Sequence, residues 1–123
     1  MNLKDIMTLR KAIARRSGAV FSVKLALKVL KFKKETETEA EFYTERHLRI
    51  LRACARTDED GNFVKTEDGC ILLKPDRAEE YRSQMQELDE TESDAYIEFT
   101  PEDLSEMKLT LGEMENVIKY VKE

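Results

Sequence analysis

Arg46, Arg49, Arg52 and Arg56 recur at intervals of three, three and four residues, a spacing that sets guanidinium groups along one flank of a helix. A guanidinium is planar and always charged, and its fork of donors matches phosphate or carboxylate oxygens two at a time. The flank is therefore the candidate site for an anionic, nucleotide-like small molecule. The competing reading is a solvated row paired within the chain, as Glu45 with Arg49 would be. Lys24, Lys28 and Lys31, at intervals of four and three, form a second basic row and a candidate partner surface. His47 and Cys54 share a helical face and have the types of a base and a nucleophile. Two turns separate them by about 10 Å of rise, too far for the hydrogen bond that activates a thiol.

Other chemistry is excluded by pattern. The soft and imidazole ligands end with His47, Cys54 and Cys70, without CxxC or HxxxH spacing. The turn Asp58, Glu59, Asp60, Gly61 lacks the alternation and terminal Glu of a calcium loop. Glycines 18, 61, 69 and 112 stand apart, so no Gly-rich loop cradles a phosphate. The expectation is a protein that is not an enzyme and holds no metal or cofactor.

Both basic rows lie in residues 22–56, a stretch without Gly or Pro that predicts a long central helix. Its core stripe reads Leu25, Val29, Phe32, Thr36, Ala40, Tyr43, His47, Ile50 and Cys54. Ser22 is its expected N-cap. The acidic alternation at residues 35–39, with Thr36 and Thr38, is where a kink or break is expected. The first half is basic with a narrow apolar stripe, whereas the second adds Leu48, Leu51 and Ala55 and should touch more than one neighbour. The second half is expected to pack within the chain. The first half, with a short amphipathic helix over residues 1–16 carrying Leu3, Ile6, Met7, Ile13 and Ala14, is expected to be the surface left for another chain.

Turn formers at residues 58–62 and 67–69 predict a β-hairpin over residues 62–74, and the alternation at residues 95–99 predicts a further short strand to pair with it. A helix over residues 76–90, opened by an Asp76 and Glu79 capping box, should lie antiparallel to the second half of the spine. Thr100 with Pro101, and then Thr110 with Glu113, mark two further helix starts, with Phe99 stapled to Leu104 and Leu109 to Met114. Leu111, Met114, Ile118 and Val121 are the expected stripe of the last helix, and Lys119 and Lys122 suit its C-terminus. No internal repeat is evident. The fold class is mainly α with a small β element (α+β), in a single domain spanning residues 1–123.

A net charge of −5 conceals a division: residues 1–34 carry ten Lys or Arg against Asp5, whereas residues 58–123 carry seven against twenty Asp or Glu. Such segregation suits an intrachain match, head-to-tail association or separate partner surfaces, and a homo-oligomer is expected. A pI near 5.1 argues against direct DNA binding. The absence of a long apolar run argues against a membrane span, and the unpaired cysteines suit a reducing cytoplasm.

The order of these elements resembles a family of short proteins of unassigned function from phages and prophages of Gram-positive bacteria. The matching residues are Val23, Lys24, Phe42, Arg46, Asp58, Asp60, Gly61, Asn62, Glu87, Leu88, Asp103, Leu104, Leu109, Thr110 and Glu113, across residues 20–115, with Ser22 where the family pattern has Pro. The resemblance implies a phage context in the host bacterial cytoplasm and no catalytic residue. The expected function is a non-enzymatic inhibitor of a host defence component, acting by protein binding or by sequestering an anionic ligand. The alternative is a virion-assembly helper, a chaperone or connector-associated protein that binds a phage protein.

Overall fold

The computed structural model describes residues 1–121, so Lys122 lies outside the described residues. Its architecture is mainly helical: α1 (Leu3–Ala14), α2 (Val23–Glu35), α3 (Glu37–Cys54), α4 (Ala78–Glu90), α5 (Pro101–Met107) and α6 (Leu111–Val117). Asn2 opens α1 by accepting the Asp5 amide at 2.8 Å. Leu3, Ile6, Leu9, Ala12 and Ile13 then recur at helical spacing and are buried. Met7 is half-buried and Ala14 exposed, so the stripe lies slightly off the expected one. α1 packs against α3, α4 and α6, which makes it the centre of the core. That corrects the expectation that it would be left for another chain.

The spine is broken at Thr36, within the stretch expected to be weak. Thr36 has φ −104° and ψ 9°, and its hydroxyl donates back to the Phe32 carbonyl at 2.8 Å. The Arg10 side chain from α1 completes the break by donating to the Lys33 carbonyl at 2.7 Å and to Thr36 Oγ1 at 2.8 Å. A side chain inserted at the helix ladder is an ordinary cause of such a bend. The core stripe survives on both sides of it, with Leu25, Val29, Phe32, Ala40, Ile50 and Cys54 buried and Tyr43 and His47 partly so. α2 therefore contributes one face to its own monomer, again against the expectation for the first half.

α4 runs antiparallel to α3: the Tyr43 hydroxyl donates to Asp89 at 2.7 Å, while farther along α3 His47 faces Tyr81 near the start of α4. The expected capping box of Asp76 and Glu79 does not open α4. A short 3-10 turn, Pro75–Arg77, leads into it with no side-chain cap.

Between α3 and α4 no sheet forms among the described residues, only the isolated bridges Ala55↔Leu73, Thr57↔Phe63 and Lys65↔Ile71. Their backbone bonds close a ring. The Arg56 amide donates to Leu72 at 2.9 Å, Leu72 to Val64 at 2.9 Å, and Val64 to Arg56 at 3.0 Å. Positions 56, 64 and 72 are evenly spaced, and the turns after the first two are alike: Gly61 and Gly69 have φ of 81° and 84°, Asp58 Oδ1 accepts the Asn62 amide, and Thr66 Oγ1 accepts the Cys70 amide. A short structural repeat is thus present where none was expected from the sequence. Cys70 is exposed on it, and Cys54, the last residue of α3, is buried. Residues 95–99 make no bridge to this ring, so the expected pairing of the further strand with a hairpin does not occur.

Both C-terminal helix starts form complete capping boxes, Thr100 with Asp103 and Thr110 with Glu113. In α6 the buried positions are Glu113 and Val117, while Leu111 and Ile118 are exposed, which corrects the expected stripe. The chain leaves α5 through Lys108 at φ 55° and ψ 49°, a left-handed conformation that costs a residue with a Cβ about 1–2 kcal/mol. Glycine recovers that cost but gives back about 0.5–1 kcal/mol in chain entropy. Lys108→Gly should therefore raise the urea unfolding midpoint by the equivalent of up to about 1 kcal/mol, and a lowered midpoint would contradict the strain.

Candidate partner-binding surface

The arginine row lies on α3 and just beyond it, and the structure engages most of it separately. Arg46 stacks over the Phe42 ring with its guanidinium carbon 5.5 Å from the centroid. Arg49 pairs with Glu45 at 2.8 Å, and both are exposed, so the pair adds little to stability. Arg56 donates to the Leu73 carbonyl at 3.2 Å within the ring of bridges. Arg52 is exposed. A small hollow beside Phe42 brings Arg46 and Arg49 together, and no pocket described gathers all four. Among the described residues no cluster of His, Cys, Asp and Glu could hold a metal ion. Burial pushes the Cys54 thiol above its ordinary value, the opposite of what a nucleophile requires.

The lysine row on α2 divides differently. Lys28 Nζ meets Asp103 Oδ2 at 2.6 Å in a largely buried pair that ties α2 to the start of α5. Burial works to raise the Asp103 carboxyl, but Lys28 and the amide and hydroxyl of Thr100 outweigh it and hold it below the usual carboxylate range. Lys31 pairs with Glu98 at 2.8 Å, half exposed on both sides. That contact holds the Glu98 carboxyl low and the Lys31 ammonium high. Lys24 is exposed. Lys28 thus serves the fold, whereas Lys24 and Lys31 remain on the surface.

A second apolar row on α2, beyond the expected core stripe, is left in water. Val23, Leu27 and Leu30 are 78%, 63% and 61% exposed, and Val20 just before the helix is 99% exposed. The signal was available in the sequence: α2 carries two apolar rows, Leu25, Val29 and Phe32 on one side and Val23, Leu27 and Leu30 on the other. A helix end packed against a small domain can bury only one of them.

A groove of about 950 Å³ runs beside the start of α2, lined in part by Ser22, Lys24, Tyr96, Glu98 and Glu106. Its polar groups are largely engaged with one another. The Ser22 amide and hydroxyl both donate to the Glu106 carboxylate, at 2.6 and 2.9 Å, while Ser22 Oγ accepts the Leu25 amide as the cap of α2. The groove therefore resembles a junction between elements more than a ligand site. Among the described residues no helix is long and apolar enough to cross a membrane. Comparison with family models, curated proteins and solved structures yields no match.

Proposed function

We propose that the chain acts without catalysis, as a phage or prophage protein that inhibits a host defence component by binding a protein. The observation that carries the protein contact is the outer face of α2, where Val23, Leu27 and Leu30 stand in water opposite the buried row of Leu25, Val29 and Phe32. Apolar surface left in water favours covering by a partner. The phage setting rests on the resemblance carried by residues such as Phe42, Arg46, Gly61 and Asn62. Protein contact is favoured over sequestering of an anionic ligand, because Arg46 faces the Phe42 ring and Arg56 the Leu73 carbonyl, and no described hollow gathers the four arginines.

The test is complementation of a phage that lacks the reading frame. The wild-type chain supplied in trans should restore plaques in a host carrying the defence, and the double variant Leu27→Glu, Leu30→Glu should not. Full rescue by the double variant would remove the α2 face from the function. A loss of assembled particles in hosts without the defence would instead identify an assembly helper.

A further inference from the structure

The exposed apolar side chains of α2 fall at intervals of four and three, Val23, Leu27 and Leu30, and the next position of that series is Lys34. Alternating intervals of three and four are the seam of a two-helix contact, because they keep a narrow line of side chains facing a neighbouring helix. A surface meant to lie on lipid presents a broader apolar arc. Here the line is narrow: Lys24 and Lys31 follow Val23 and Leu30 by one residue on one side, and Lys33 precedes Lys34 on the other. All of these lysines are exposed. In a helix pair, such flanking positions face the flanking positions of the partner and choose it by charge.

A second copy of α2 would bring lysines against lysines, and α2 has only Glu35, at its end, to offset them. The flank already accepts a carboxylate, since Lys31 holds Glu98 at 2.8 Å in an exposed pair that a competing acid can replace at small cost. We propose that the outer face of α2 docks one acidic amphipathic helix of a partner protein. Apolar side chains of that helix pack along Val23, Leu27 and Leu30, and its Asp or Glu side chains face Lys24, Lys31 and Lys33. This rests on the protein-binding function proposed above and specifies the partner's chemistry. The helix α2 spans roughly 20 Å, so the matching partner segment is about two heptads long.

The full chain should be titrated with three probes: a labelled peptide carrying Leu at the seam positions and Glu at the flanks of each heptad, the same peptide with Lys at the flanks, and phosphatidylglycerol vesicles. The Glu peptide should bind with an affinity that falls as salt rises, and the Lys peptide should bind at least about tenfold more weakly. Leu27→Glu, at an exposed position where the helical circular dichroism and melting temperature should hold, should weaken the Glu peptide at least about tenfold. Lys24→Glu combined with Lys33→Glu should shift the preference toward the Lys peptide. The proposal is overturned if the Glu peptide does not bind, if both peptides bind equally, if vesicles bind and lose binding in Leu27→Glu, or if native mass shows a dimer that Leu27→Glu dissolves. Failure of the Glu peptide together with failed complementation by the double variant rejects the acidic partner while keeping protein contact. Full complementation by the double variant removes the α2 face from the function and with it this docking site.

Discussion

Arg16→Met should lower stability by about 3–5 kcal/mol, because it takes from the buried Glu113 carboxylate its main partner and leaves only the exposed Arg15, at 3.1 Å, and the Thr110 amide. The Arg16 side chain is 14% exposed and that of Glu113 6%. Its Nη2 donates to Glu113 Oε1 and to the Lys108 carbonyl, its Nη1 to Glu113 Oε2 and the Ala12 carbonyl, and its Nε to the Met107 carbonyl. One side chain thus closes the end of α1, the left-handed turn after α5 and the start of α6. The Arg16 hydrogen bond is the largest influence on Glu113; it outweighs burial and, with the Thr110 amide, brings the carboxyl down to about 2.

A carboxyl with a lowered folded-state value contributes stability that is fully present above the ordinary value of 4.5 and is lost as pH falls toward about 2. Arg16→Met removes the largest cause of that lowering while Thr110 and Arg15 remain, so the difference between wild type and variant in urea unfolding should shrink as pH is lowered below 4.5. Adding Glu113→Gln, which keeps a side chain able to cap Thr110 without its charge, should recover at least about 1 kcal/mol at neutral pH. An unchanged gap at low pH would mean that Arg16 matters through packing of its stem.

Phe99→Ala should be nearly as damaging, costing about 3–5 kcal/mol. Residues 95–99 have no bridge partner among the described residues, so side chains rather than a hydrogen-bonded ladder hold them in place. Ile97 and Phe99 point into the core at 4% and 2% exposure, and the Phe99 ring lies 6.2 Å from that of Phe32 on α2, tilted by 55°. Truncation leaves a cavity between α2 and α5 and frees the segment that carries Glu98 to Lys31. Tyr96, 56% exposed on the opposite side of the same segment, should tolerate Ala within about 0.5 kcal/mol. Equal losses at the two positions in thermal or urea unfolding would show that the segment is held by its backbone instead.

Much of the local structure was legible in the residues themselves. Ser22, Thr100 and Thr110 act as N-caps because a hydroxyl can reach an amide only three residues away, and that reach is written in the spacing. The same holds for the core stripe from Leu25 to Cys54 and for the break near Thr36, where apolar content and helix propensity both fall. The ring of bridges at 56, 64 and 72 was not legible, because the three segments share backbone turns more than side-chain types. Nor was the role of Arg10, which caps the end of α2 from another helix.

The candidate surface shows the division most directly. The two apolar rows of α2, and the lysines that flank one of them, follow from residue spacing alone. Which row is buried follows from what folds against the helix. Residues 95–99 and α5 bring Phe99, Leu104 and Met107 to the core that receives Leu25, Val29 and Phe32, and they bring Asp103 and Glu98 to Lys28 and Lys31. Burial depends on which distant segments arrive at a face, and such long-range pairings are not encoded in the spacing of one helix. The same arrival leaves Val23, Leu27 and Leu30 in water.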